Sequence, residues 1–176
     1  MSTDHHDSAA EAPPTSPDAL LAFLADLGIE VAVHRHPPLF TVEDSKALRG
    51  DLPGGHCKNL FLKDKKGQVW LVVTLEDRRV DMKSLDKSIG AARLSFASAD
   101  RLWAMLGVRP GAVTPMAAIN DRDGAVRVVL DKAMLARDPL NYHPLVNDQT
   151  IAIRPDDLVT FLKATGHDPL IVDLDG

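Results

Sequence analysis

Three short stretches of the chain hold residue types that could do chemistry. In "PGGHCKNLFLKDKKG" (53–67), paired glycines run through Lys58 into an apolar segment and then a cluster of lysines. A group of cations can hold a few phosphates, or can serve only as a solvated face. In "RPGAVTPMAAIN" (109–120), Gly111 stands four residues before Pro115. Glycine reaches backbone angles closed to other residues and lets a ligand approach the main chain, while Thr114 followed by Pro115 has the form of an N-cap and a first helical residue. Amides left free in such a turn would face a cavity and hold a carbonyl or phosphate oxygen, as acyl transfer requires when charge develops on oxygen. The same composition also makes an ordinary loop. "NYHPLVNDQT" (141–150) contributes His143, kept extended by Pro144. Its imidazole could move a proton or orient an amine or hydroxyl, although a lone histidine in a polar loop is often structural.

Other chemistries drop out. Cys57 follows His56, but neighbours on an extended chain point to opposite faces, which suits a buried thiol better than a Cys–His nucleophile. As the single cysteine, it also excludes an internal disulfide. His5 and His6 lie in a polar stretch with no cysteine or further clustered histidine, so no metal site is expected. No Ser–His–Asp order, H-E-x-x-H, phosphate-binding lysine loop or dinucleotide fingerprint is present, and no cofactor is expected. A net charge of −5 argues against a protein that coats nucleic acid, and the absence of a basic recognition helix argues against DNA binding. The charge is unevenly spread. From Lys58 to Arg93, nine basic residues face five acidic ones, so a positive patch sits on an acidic chain. No apolar run approaches the ~20 residues that cross a bilayer, and the opening segment has no signal-peptide core; a cytoplasmic protein is expected.

The elements that must position these residues can be read in order. Residues 1–17, rich in Pro, Ser and Ala, are expected to be a flexible tail, and 18–176 one domain of 45% hydrophobic composition. "SPDALLAFLADLGI" predicts an amphipathic helix behind Ser16 and Pro17, closed by Gly28, and "EVAVHRH" a strand stopped by Pro37 and Pro38. "TVEDSKALRG" predicts a short helix capped by Thr41, with Asp44 at the capping-box position and Gly50 as its stop. "KNLFLKD" and "QVWLVVTL" predict a hairpin turning at Lys66 and Gly67, its nearly all-apolar second strand central in the sheet. Helices over "DMKSLDKSIG" and "SADRLWAML", a short strand over "RLSFAS", strands over "AVRVVLD" and "TIAIRP", a helix over "RPDDLVTFLKATG" and the apolar "PLIVDL" follow. This order predicts an α+β fold: a mixed, mostly antiparallel sheet surrounded by helices.

The run "HPPLFTVEDSKALRGDLPGGHCKNLFLKDKKGQVWLVV", with "GAVTP" and "NYHPLVNDQTIAI", resembles the YbaK/proline-tRNA-synthetase-associated editing domains, most closely their free-standing ProXp-ala type. The resemblance covers nearly everything after the tail. It implies a deacylase that hydrolyses the ester of mischarged tRNA in trans, with Ala-tRNA(Pro) as substrate and prolyl-tRNA synthetase as a possible partner. By the same resemblance, Lys58 holds the phosphate or ribose at the tRNA 3′ end with Asn59 beside it. Gly111, Ala112, Val113, Thr114 and Pro115 position the ester carbonyl through main-chain amides, and His143 lines the pocket near the aminoacyl group. Arg93, Lys63 and the lysines that follow are candidates for the acceptor stem. The resemblance also implies that a held water and the tRNA's own 2′-hydroxyl do the work of a side-chain base.

Two other readings stay open at this point. A related domain could act on Cys-tRNA or another small aminoacyl group, a choice decided by pocket volume. A non-catalytic module could hold tRNA ends or a synthetase, with "GAVTP" a plain turn and His143 facing solvent.

Overall fold

The computed structural model describes residues 14–38 and 52–174. The helix expected over 41–50 and the tail through residue 13 lie outside the described residues. In chain order the elements are α1 (Pro17–Asp26), β1 (Ala32–Arg35), β2 (Gly55–Lys63), β3 (Val69–Leu75), α2 (Met82–Ile89), β4 (Ser95–Phe96) and α3 (Ala99–Leu106). A 3-10 turn (Pro115–Asn120), β5 (Val126–Asp131), a second 3-10 turn (Met134–Ala136), β6 (Leu140–Tyr142), β7 (Gln149–Ile153), α4 (Pro155–Ala164) and β8 (Leu170–Val172) complete the order.

The strands form one mixed sheet in the order β1-β7-β6-β2-β3-β5-β8, with β4 paired to β2 off that path. Antiparallel pairing joins β1 to β7, β7 to β6, and β2 to both β3 and β4. β2–β6, β3–β5 and β5–β8 are parallel. The central place expected for "QVWLVVTL" is realised, because every residue of β3 is buried. Its alternation explains why. Val69, Leu71 and Val73 face a core built with Leu20 and Leu24 of α1, Leu102 and Leu106 of α3 and Phe161 of α4. Trp70 and Val72 face a smaller core closed by Leu85 and Ile89 of α2. Helices therefore cover both faces, and a strand between them needs apolar residues at every position.

Local chemistry sets the helix ends. The Ser16 hydroxyl accepts from the Ala19 amide at 3.0 Å, and Ser98 does the same for Arg101 at 3.1 Å. The segment before α1 is docked as well: Thr15 donates to Asn120 Oδ1 at 2.6 Å. Asn120 in turn donates to the Leu106 carbonyl at 2.8 Å, tying the 3-10 turn to the end of α3.

One feature of the sheet bears directly on function. On the edge of β2 away from β3, β6 pairs only at Gly55 and His56, and β4 only at Leu62 and Lys63. Ala97 extends the second contact by donating to the Phe61 carbonyl at 3.0 Å. Among the described residues, no strand pairs with Cys57–Leu60 on that edge, which leaves a slot in the sheet.

Candidate active site

The paired glycines open this slot by letting another chain segment come close. An added Cβ on Gly54, whose φ is +99°, would sit 2.2 Å from the Pro139 carbonyl oxygen. The Gly55 amide donates to that same oxygen at 2.8 Å. No side chain could occupy position 54 here. Asn141 fastens the junction by donating to the carbonyls of Pro53 and Gly55 at 3.0 and 3.1 Å.

β2 then carries Lys58 and Asn59 along the slot, on opposite faces. Lys58 shares a face with Leu60 and Leu62, and its ammonium donates to the Arg78 carbonyl. That carbonyl takes one of three N–H donors. Arg78 is itself held by an ion pair between its Nε and Asp131 Oδ2, 2.7 Å apart. The fully buried Asp131 also accepts from the Thr74 hydroxyl at 2.6 Å and the Ala133 amide at 3.1 Å. A buried carboxylate with these partners fixes the strand ends that present Lys58.

Asn59 lies on the face of Cys57 and Phe61, the side of the larger core. Its Oδ1 is buried and makes no hydrogen bond among the described residues. A buried acceptor without a partner is costly, so a donor brought by a ligand would be favoured there. Asn59→Leu should therefore raise the melting temperature, corresponding to about 1 kcal/mol, while lowering activity. Thermal melts and ester-hydrolysis rates on one preparation check this; a variant both less stable and fully active would oppose it.

On that same face the glycine–proline turn meets the histidine loop. Gly111 has φ +95°, and a Cβ added there would lie 3.7 Å from Asn147 Nδ2. Thr114 caps the 3-10 turn as its sequence suggests, its hydroxyl accepting from the Met116 amide at 3.1 Å. Pro115 opens the turn inside the core, as a support more than a surface. The expectation of a row of free amides needs correction. The Ala112 amide donates to the Arg109 carbonyl at 3.0 Å, and that of Ala117 to the Thr114 carbonyl at 3.2 Å. Among the described residues, the amides of Gly111, Val113 and Thr114 have no such partner. The Arg109 guanidinium stacks 4.0 Å over the Trp103 ring and steadies the entry to the turn.

His143 is half-buried, and its Nδ1 lies 2.9 Å from the Gln149 carbonyl. A carbonyl only accepts, so Nδ1 carries the proton and the neutral ring keeps its lone pair on Nε2. Burial is the main cause holding this histidine below its ordinary value of 6.5; the Gln149 contact opposes it and nearby His36 adds to it. The His36 ring lies 6.3 Å away and is anchored to the Thr150 hydroxyl and the Pro37 carbonyl, both at 2.8 Å. Two residues on, Leu145 is buried with φ +74°, a conformation rare outside glycine and often found at functional sites.

Cys57 is excluded as a nucleophile. Burial pushes its thiol up to about 12, so almost no thiolate exists near neutrality.

At the other end of β2, Lys63, Lys65, Arg93 and Arg101 line an open groove of about 480 Å³ together with Asp64 and Ser95. Asp64 organises it. Its carboxylate accepts from the amides of Lys66 and Gln68 at 2.9 and 3.0 Å, from Trp70 Nε1 at 3.3 Å and from the Ala92 amide at 3.5 Å. Desolvation alone would raise this carboxyl, but hydrogen bonds led by Trp70 outweigh it and hold it below the usual range. Ala92 thereby brings Arg93, itself at φ +54°, to the groove wall. Arg101 lies beyond the run of charges that drew attention in the sequence, and only the fold adds it.

The described residues thus place Asn59 and the Gly111–Pro115 turn toward the face of the larger core, Lys58 and, by the alternation of β6 and β7, His143 toward the other, and the Lys63–Arg93 groove at the far end of β2. Among them no group of three or more His, Cys, Asp or Glu could hold a metal ion. No helix of the described residues is long and apolar enough to cross a membrane.

This α+β arrangement around a mixed eight-stranded sheet is an editing-domain fold. The family model for the aminoacyl-tRNA editing domain matches residues 36–161, and the chain belongs to that family. It is 42% identical over 162 residues to the Bos taurus prolyl-tRNA synthetase associated domain-containing protein 1, covering 89% of this chain and 94% of the relative. It is also 38% identical to the prolyl-tRNA editing protein ProX of Acetoanaerobium sticklandii, over 85% of this chain and 92% of that one. A solved structure described as a candidate trans-editing enzyme for prolyl-tRNA synthetase superimposes with a TM-score of 0.69 at 18% identity, covering 93% of this chain and 99% of its own. At that identity the likeness speaks for the fold.

Proposed function

We propose that the chain is a trans-acting aminoacyl-tRNA deacylase whose substrate is alanine esterified to tRNA(Pro). The observation that carries the reading is the approach of the Gly111 turn to the loop after His143, where a Cβ added at Gly111 would lie 3.7 Å from Asn147 Nδ2, together with a buried acceptor on Asn59 that has no hydrogen-bond partner among the described residues. An aminoacyl ester offers partners to these groups: a carbonyl oxygen for the turn amides and an α-ammonium for Asn59 Oδ1, while the lone pair of His143 Nε2 accepts from a hydroxyl or amine on the Lys58 side of the slot. Lys58 holds the phosphate or ribose across the slot. Water adds to the ester carbonyl carbon while the turn amides receive the charge on oxygen. The acyl–oxygen bond then breaks, the terminal ribose leaves as its alcohol, and the neighbouring 2′-hydroxyl relays the proton. The products are alanine and intact tRNA. A synthetase pocket shaped for proline discriminates weakly against alanine, since a methylene is worth only ~1–3 kcal/mol, and a second, smaller site removes the error.

The test is release of labelled alanine from tRNA(Pro) by the wild-type chain and by His143→Ala. As a positioning residue, His143 should be worth about tenfold and not the whole rate. The wild-type rate should be level above neutrality and fall below pH 6.5, where His143 takes up a proton, and His143→Ala should lack that acid limb. Stability follows the same sign: the unfolded chain binds this proton first, so stability is full above 6.5 and declines as pH falls below it. Complete loss of turnover in His143→Ala with unchanged RNA binding would make the histidine the base. Persistence of the ester with wild type, while tRNA binds, would favour the non-catalytic module. Hydrolysis of cysteine esters in preference would move the substrate to another small aminoacyl group.

A further inference from the structure

We propose that Phe96 is a stacking platform for an unpaired nucleotide near the 3′ end of the RNA, lying between the basic groove and the slot; this rests on the deacylase reading above. Phe96 is 63% exposed, the most exposed large apolar side chain among the described residues. It occupies β4, paired to β2 with Phe96 opposite Leu62 and Ser95 opposite Lys63. Its neighbour Ser95 lines the groove of Lys63, Arg93 and Arg101. The pairing with Leu62 puts the Phe96 ring on the face of β2 that carries Leu60 and Lys58. Groove, ring and lysine thus follow one another along the strand.

The distances suit a strand of RNA. From Lys63 to Lys58 is five residues of extended chain, about 17 Å, the reach of a few unpaired nucleotides. The groove's cations match the phosphates of a duplex end, and Lys58 matches the last sugar-phosphate. Between them the backbone of a single strand runs with its bases unpaired, and an exposed phenyl ring offers any base a π-face. A solvent-exposed phenylalanine at this position serves no core: it packs in neither hydrophobic cluster of the sheet.

The experiment uses the full chain with an acceptor-stem minihelix carrying 2-aminopurine in its unpaired 3′ end, read by fluorescence, beside hydrolysis of the alanine ester. Wild type and Phe96→Trp should quench the probe on binding; Phe96→Ala should lose the quench and raise KM about tenfold or more with little change in kcat or melting temperature. Wild-type quench and KM in Phe96→Ala would overturn the proposal. So would a Phe96→Ala change confined to sedimentation, which would assign the ring to contact with a second copy of the chain. The two readings fail separately. Phe96-dependent quenching without ester hydrolysis by wild type would remove the deacylase and keep the platform, whereas hydrolysis indifferent to Phe96 would do the reverse.

Discussion

Replacing Lys58 by alanine should lower kcat/KM for the alanine ester about a hundredfold. An ammonium bonded to a phosphate or ribose oxygen in a half-buried slot is worth roughly 1.5–3 kcal/mol, which spans tenfold to just over a hundredfold. The upper end is expected because Lys58 is held in place before substrate arrives. Its bond to the Arg78 carbonyl, and the ion pair from Arg78 to the buried Asp131, leave little freedom to lose on binding. The substitution also leaves the Arg78 carbonyl without that donor, so about 1 kcal/mol of stability should go with it. Lys58→Met keeps the apolar stem beside Leu60 and separates packing from charge. Steady-state kinetics and thermal melts on both variants check the expectation. Equal loss of activity and folding in both would make Lys58 a structural residue.

Gly111→Val should be nearly as damaging, with a hundredfold or greater loss in kcat and a smaller change in KM. At φ +95° a β-branched residue is strained, and relief of that strain should turn the amides of Gly111, Val113 and Thr114 away from the ester carbonyl that the proposed reaction places there. Space is not the obstacle, because the nearest atom to an added Cβ is Asn147 Nδ2 at 3.7 Å. Gly111→Ala should therefore fall between wild type and Gly111→Val, and single-turnover rates on all three give the order. A Gly111→Val protein that melts normally and hydrolyses at the wild-type rate would show the turn to be only a connector.

Much of this was open to view in the sequence where local chemistry decides structure. Ser16 with Pro17, and Ser98, announced the starts of α1 and α3, and the apolar run over 68–75 announced a strand covered on both faces. Thr114 before Pro115 marked the 3-10 turn because its cap lies within two residues. What the sequence did not disclose depends on contacts far along the chain. β6 is three residues long, Leu140–Tyr142, too short to show a period of two, and it exists because Gly54 and Gly55 admit its approach. The slot follows from where β6 and β4 stop, and no local pattern records that. The sequence reading set Asn59 beside Lys58, whereas strand alternation separates their side chains across the sheet. It also took the amides after Gly111 as free, while Ala112 is used by the turn itself. The segment 39–51, which contributes to the resemblance, lies outside the described residues.

Hydrolysis at this slot is tested most directly by single-turnover decay of three charged tRNAs: tRNA(Pro) bearing alanine, the same tRNA bearing proline, and tRNA(Cys) bearing cysteine, each with wild type and with Lys58→Ala. Rapid loss of alanine alone, slowed about a hundredfold by Lys58→Ala, is the predicted result. Three esters that outlast the assay while the tRNAs remain bound would contradict it, and would leave the turn at Gly111 without a reaction to serve.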